Sequence, residues 1–362
     1  MSPSGLLSRS GLAALIASGA IAAERVIEPA QLQPASLDLR LGKEAFRLRA
    51  SFLPGRTHNV RERLDSLGPE RISLAGEGAV LEKGIVYVAP LSERLALPAS
   101  LAGAANPKSS TGRLDIFVRL IVDNGAAFDE APAGYRGPLW VEISPRSFSV
   151  RVREGTRLNQ LRLRETRAIL SDEALAARHA VTPLVDGALE LRDGLIVHVG
   201  LSGSGVVGFR AVKNGSVIDV DRPGAYAAAD FWEPIRARSG RLILDPDEFY
   251  ILASREKMQI PADLAAEMAA VDPALGEFRV HYAGFFDPGF GWTPSGAPGA
   301  RGVLEVRGRD VPFLLEDGQP IARLVFEPLA DAPDALYGAI GGSNYQGQGL
   351  KLSKHFRAWE EP

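Results

Sequence analysis

The chain has 362 residues, 46% of them hydrophobic and 23% charged, enough apolar material to bury a core in more than one domain. A net charge of −3 supplies no basic field for nucleic acid, so any bound anion must be held locally. Cysteine is absent, which excludes disulfides, thiol nucleophiles, iron–sulfur clusters and zinc sites built on thiolate.

At the N-terminus, Arg9 and the apolar run from Gly11 to Ala23 can be read in two ways. The run resembles a secretory h-region, yet it also forms a short amphipathic helix with Leu12, Leu15 and Ile16 on one face, ending near Gly19. It is too short to span a bilayer, and the lack of cysteine favours the cytoplasm, so the expectation is a cytoplasmic protein with no membrane contact. Residues 34–42 alternate apolar and polar, the pattern of a half-buried strand. Residues 51–80 are polar with Pro and Gly and read as loops and short strands. Residues 85–89 read as a buried strand, and 95–101 as a turn.

The stretch Lys108-Ser109-Ser110-Thr111-Gly112-Arg113 suits neither strand nor helix, but its hydroxyls, cations and turn amides could cradle an anion. Decoration of a surface turn would have the same composition. Residues 116–122 are strongly β-like, 123–137 are loop-like with a turn at Asp123-Asn124-Gly125, and 139–143 with 148–152 suggest a strand pair. Residues 171–178 are helical, with Ser171 as N-cap, and mark a natural junction.

From about residue 181 the pattern starts again. Pro98 and Pro261 stand 163 residues apart, as do Glu142 and Glu305, and Gly155 and Gly318. Asp123-Asn124-Gly125 returns as Asp287-Pro288-Gly289 at a shift of 164. An offset so steady predicts tandem duplication of one β-rich unit, residues 1–180 and 181–362. The copies differ where chemistry would sit. Positions 109–113 map onto Asp272-Pro273-Ala274-Leu275-Gly276, without hydroxyl pair or cation, whereas the second copy has a compact Ala283–Phe290 hairpin and Ala283 in the place of Arg119. Only a site using both halves would employ both features.

Glu305, within Val303-Leu304-Glu305-Val306, faces solvent if the strand alternates; if it is partly buried it is a tunable general base. Glu142 has the same two readings. Gly203-Ser204-Gly205-Val206-Val207-Gly208 has dinucleotide-loop spacing, but strands rather than a helix follow it, so it is dismissed. The Gly-rich 341–349 tail reads as a loose terminus or as a flap over a ligand. The five histidines, His58, His179, His198, His281 and His355, have no metal-ligand spacing and read as structural.

Lys108 to Arg113 resembles the basic-Ser-Ser-x-x-Arg motif of the dCTP deaminase and dUTPase superfamily. Ala283 to Gly289 resembles the deaminase branch's nucleoside hairpin, Leu304-Glu305-Val306 its catalytic-glutamate strand, and Tyr345, Gln348 and Ser353 its closing tail. Residues 6–9 and 34–42 match its N-terminal region. The resemblance implies a distorted, jelly-roll-like β-barrel that trimerises, with phosphate-side residues from one subunit and hairpin and glutamate from its neighbour. The two copies would then stand in for two subunits, giving a homotrimer, or a monomer or dimer if duplication replaces subunit contacts.

The implied reaction is metal-independent hydrolysis of dCTP to dUTP and ammonia. Glu305 would act as general base and proton shuttle. Ser109 and the Ala283 carbonyl would hold the water, and Arg113 would keep Glu305 ionised and oriented. Lys108 and Ser110 would contact phosphates, with Mg²⁺ carried by the triphosphate and no zinc. Asp287 would meet the deoxyribose, Phe290 the base, and Tyr345 and Gln348 would close over the nucleotide. The chain departs from the family in its duplication, in the motif lost from the second copy, and in Asn344 where Lys is frequent. A dUTP diphosphatase, a bifunctional deaminase–diphosphatase, and a non-catalytic nucleotide-binding double β domain remain alternatives.

Overall fold

A computed structural model describes residues 5–213, 215–236, 238–270, 278–280, 284–339 and 343–360. The chain divides into two compact units, and the division falls at Arg167/Ala168, ahead of the interdomain helix rather than at 180/181. The first unit also takes in Gly215–Ala225 and Leu329–Asp334; the second comprises Ala168–Asn214, Tyr226–Pro328 and Ala335–Pro362.

In chain order the first repeat contains α1 (Arg9–Ala17), β1 (Ile21–Ala23), β2 (Leu37–Arg40), β3 (Glu44–Leu48), α2 (Val60–Leu67), β4 (Glu70–Ser73), β5 (Ala79–Leu81) and β6 (Val86–Ala96). It continues with β7 (Ala102–Pro107), α3 (Ser109–Gly112), β8 (Ile116–Val122), β9 (Glu130–Ala131), β10 (Arg136–Pro145), β11 (Val150–Val152) and β12 (Arg157–Arg164). The second repeat supplies α4 (Asp172–Val181), β13 (Leu195–His198), β14 (Gly208–Ala211), β15 (Ile218–Asp219), β16 (Trp232–Ile235), β17 (Arg241–Leu244) and β18 (Phe249–Met258). It ends with β19 (Leu264–Ala270), β20 (Phe278–Val280), β21 (Phe285–Phe286), β22 (Ala300–Gly308), β23 (Phe313–Glu316) and β24 (Pro320–Pro328).

Both units are mainly β, and their sheets have the same strand orders, as duplication requires. In the first unit β4-β3-β6-β10-β8 form one sheet, with β1 also on β6, and β2-β12-β7-β9 form another. The second unit repeats them as β16-β14-β18-β22-β20 and β13-β24-β19-β21. Even the register is kept, since Phe46 faces Val88 in one and Phe209 faces Ile251 in the other, each 163 residues on. The third sheet differs. β15 runs parallel to β11 as a third strand beside β5, whereas β17 and β23 form a two-stranded pair among the described residues. Each unit buries its own apolar cluster, such as Leu252, Leu304 and Phe326 in the second and Val60, Leu64 and Val88 in the first.

The structure corrects the sequence reading at several elements. Residues 51–80 include α2, which has a reciprocal cap between Asn59 and Glu62 and ends at Gly68 with φ +57°. β2 is buried along its whole length rather than on one face, because Asp38 and Arg40 have partners inside the unit. β6 runs on through Ala96, so the turn begins only at Leu97. β10 and β11 do not pair with each other: β10 lies between β6 and β8, and β11 pairs with β5 and β15. The leading apolar run forms α1, capped by the Ser8 hydroxyl, and among the described residues no helix is long and apolar enough to cross a membrane.

Candidate active site

In the first unit, β7 ends at Pro107 and the chain makes one helical turn, α3, where neither helix nor strand was expected. Lys108 starts the turn: its carbonyl accepts the amides of Thr111 (2.8 Å) and Gly112 (3.0 Å). The amides of Arg113, Leu114 and Asp115 donate to Ser109, Thr111 and Gly112 carbonyls. Most backbone N–H groups of the expected cradle are therefore already used, and its outward donors must come from side chains. Ser109 is half-buried, Ser110 and Arg113 are buried, and the Lys108 ammonium is paired with the buried Asp38. An ammonium carries three donors, so this pair leaves capacity for a second acceptor.

In the second unit Glu305 lies on β22, opposite Ile251 of β18. It is 5% exposed, and Glu142 on β10 is 1% exposed, which overturns the solvent-facing reading of both. Alternation fails because each strand is interior to a five-strand order and covered on both faces. The two glutamates nevertheless have different surroundings. Glu142 Oε1 accepts Arg119 Nε at 3.1 Å and Nη2 at 2.6 Å, and Nη2 also donates to Ser51 Oγ at 2.9 Å. The guanidinium carbon lies 3.6 Å from the centroid of Phe128 and 4.7 Å from that of Phe117. Glu142 is thus locked by a cation of its own unit.

Asp287 and Phe290 are buried together in the turn after β21, where the Phe290 amide donates to the Asp287 carbonyl at 3.1 Å. Phe290 packs edge-on against Phe286, with centroids 5.1 Å apart, and its carbonyl accepts the Ile260 amide at 2.8 Å. Among the described residues this region is not a two-stranded hairpin, since β20 pairs with β22 and β21 with β19. Ala283 lies outside the described residues, as do Asp272–Gly276, the counterpart of the Ser-Ser turn.

The described part of the tail is packed rather than loose. Tyr345 and Gln348 are both buried. The Gln348 carbonyl accepts the Arg301 amide at 2.8 Å, and Gln348 Nε2 donates to the Arg301 carbonyl at 2.9 Å. The Tyr345 hydroxyl accepts the Lys354 amide at 3.2 Å. Gln348 therefore sits against β22 four residues before Glu305, about 13 Å along the strand. Gln346 was missed: its Oε1 accepts the Gly291 amide and its Nε2 donates to the Gly289 carbonyl, both at 3.0 Å, joining the tail to the Asp287–Phe290 turn. A glutamine inside a Gly-rich tail gave no sign of this.

Among the described residues no three His, Asp or Glu side chains come together as a metal site. His198 lies between Glu256 (2.7 Å) and Glu190 (3.1 Å), and His355 is buried against Ser353 at 2.9 Å. Both fit the structural reading.

Comparison with known proteins bears directly on this arrangement. Residues 3–167 match the model of the 2′-deoxycytidine 5′-triphosphate deaminase N-terminal domain, and residues 171–356 that of its C-terminal domain. The crystal structure of 2′-deoxycytidine 5′-triphosphate deaminase from Agrobacterium tumefaciens superposes with a TM-score of 0.87 at 48% identity, covering 90% of this chain and 99% of that one. A dCTP deaminase from Natronomonas pharaonis is 30% identical over 166 residues, which is 82% of that protein but 45% of this one. A dUMP-forming dCTP deaminase from Salinispora arenicola is 35% identical over 139 residues, 68% of that protein and 38% of this one. Relatives that span less than half of this chain fit a sequence carrying the unit twice.

Proposed function

The chain belongs to the 2′-deoxycytidine 5′-triphosphate deaminase family, and from that premise we propose that Glu305 is its proton-moving carboxylate. The reaction is hydrolysis of the exocyclic C–N bond at C4 of dCTP, giving dUTP and ammonia. In this reading Glu305 takes a proton from water, the hydroxide adds to C4, and Glu305 returns protons to N3 and to the departing amine. Burial on an interior strand favours the role, because the protons of a carboxylate removed from bulk water go only where geometry allows.

The observation that carries the assignment is the difference between the two matched glutamates. Glu142 is held at Oε1 by Arg119, and no arginine stands 162 to 164 positions after Arg119, where the sequence reads His281-Tyr282-Ala283.

The remaining roles draw on both sequence copies. Arg113 keeps Glu305 ionised and oriented, and Ser109 with the Ala283 carbonyl holds the water. Ser110 and Lys108 take phosphate oxygens, Lys108 through the donors that Asp38 does not use. Asp287 meets the deoxyribose, Phe290 the base, and Tyr345 and Gln348 close over the nucleotide. Mg²⁺ belongs to the substrate, carried in on the triphosphate. The location is cytoplasmic, and the assembly is a homotrimer, or a monomer or dimer where the duplication replaces subunit contacts.

The second reading is a bifunctional enzyme that continues from dUTP to dUMP and pyrophosphate, favoured by the dUMP-forming relatives. Incubation of the protein with dCTP and Mg²⁺, resolving ammonia, dUTP, dUMP and pyrophosphate, separates the two. Ammonia with accumulating dUTP supports the deaminase; ammonia with dUMP and pyrophosphate supports the bifunctional enzyme. Absence of ammonia refutes both.

A further inference from the structure

We propose that Asp115 is a positioning residue for Arg113, an inference that rests on the role given to Arg113 above. Asp115 is 0% exposed, a carboxylate fully withdrawn from water. Its backbone φ is +55°, the left-handed region that closes a helical turn and that usually calls for glycine or asparagine. Three bonds hold it there. Its amide donates to the Gly112 carbonyl at 2.8 Å, its carbonyl accepts the Arg146 amide at 2.8 Å, and its Oδ2 accepts the Ser147 hydroxyl at 2.5 Å.

These bonds join the end of α3 to the turn that follows β10. A single helical turn has little stability of its own, so the direction of Arg113 at its end depends on what anchors the next residues. Leu114, between the two, is fully buried and leaves no slack. A carboxylate buried this completely is costly unless it is bonded, and the Ser147 hydroxyl meets that need.

The duplication supplies an internal control. Strand pairing matches Ile116 to Phe278, so Asp115 falls on Glu277, outside the described residues, and Ser147 on Asp310; the second copy lacks the hydroxyl donor. The second unit still builds the same five-strand order. The fold therefore does not need the serine hydroxyl; that donor accompanies the Ser-Ser-x-x-Arg turn, which the second copy has also lost.

The test compares D115G, D115N, S147A and R113Q by steady-state ammonia release across pH, with melting temperatures recorded for each. D115G relieves the left-handed backbone but removes the acceptor; D115N keeps both an acceptor and tolerance of that backbone; S147A removes only the donor. D115G and S147A should lower kcat about 10- to 100-fold, the cost of a misplacement of about 1 Å, with KM changed less than about threefold. The acid limb of their kcat/KM profiles should move to higher pH, because a displaced Arg113 favours ionised Glu305 less. D115N should restore kcat to within about threefold of wild type and return the acid limb to its place.

Wild-type kcat and an unshifted profile in D115G and S147A, beside an inactive R113Q, would overturn the positioning role alone. So would losses that follow melting temperature and are not restored by D115N. An active R113Q would overturn the role given to Arg113, and this inference with it.

Discussion

Replacing Arg119 by alanine tests whether the first unit's glutamate is sealed, as its geometry indicates. The change leaves Glu142, 1% exposed, without the cation that holds Oε1 at 2.6 and 3.1 Å. Removing one partner of a buried ion pair costs about 3–5 kcal/mol. A quarter of the Arg119 side chain is exposed, so water can partly enter its place, and the lower end, about 3 kcal/mol, applies. Loss of the guanidinium over Phe128 and Phe117 adds roughly 0.5–1 kcal/mol. For a unit of this size the total corresponds to a melting temperature lowered by roughly 7–16 °C. Unfolding of R119A, E142L and R119M/E142L by calorimetry and urea is the assay. The double variant should recover most of the loss, since apolar replacement of both partners is often neutral or better. Ammonia release from dCTP by R119A, measured well below its melting temperature, should stay near wild type. A destabilisation under about 1 kcal/mol, or activity falling with the pair, would refute the reasoning.

Three further outcomes follow from local contacts. N59A removes the cap of α2 and should cost about 1 kcal/mol, read from urea unfolding, without changing kcat. Arg153 bonds both oxygens of Asp219 at 2.7 Å and holds that carboxyl below its ordinary range despite burial. The stability from a depressed carboxylate is present above its unfolded pKa, about 3.9, and disappears as pH falls through the lower folded value. The melting-temperature gap between wild type and D219N should therefore be widest near neutrality and close below about pH 4; a gap constant with pH would contradict the pairing. Q348A loses the Nε2 bond to Arg301 but keeps the backbone bond, and should raise KM for dCTP by up to about fivefold with kcat little changed, as one neutral hydrogen bond holding the tail is worth about 1 kcal/mol.

Much of the fold was legible because duplication writes the same pattern twice. The 163-residue offset read from prolines, glycines and two glutamates is that of the central strands, down to the partners of Phe46 and Phe209, while edge strands such as β9 and β21 have shifted. Ser171 as N-cap and β8 at residues 116–122 also follow from local chemistry. Helix α2 was legible and overlooked: Asn59 three residues before Glu62, Val60 four before Leu64, and Gly68 behind them are start, face and stop signals. The burial of Glu305 and Glu142 was not legible, because alternation reports two faces only where a sheet has one against water. Nor was the pairing of Lys108 with Asp38, 70 residues apart, since nothing in either segment refers to the other. The composition of the 343–349 tail suggested looseness, and contacts with Arg301, Gly289 and Gly291 give it a fixed place.

Side-by-side turnover of E305Q and E142Q on dCTP, followed as ammonia, tests the central assignment most directly. Both substitutions replace a buried carboxylate by an amide of the same shape on matched strands; E142Q also weakens the pair with Arg119, so both are assayed well below their melting temperatures. E305Q should lose at least about 100-fold in kcat, the usual worth of general acid–base catalysis, while E142Q stays within about threefold of wild type. Equal losses at the two positions, or an E305Q that turns over normally, would contradict the account.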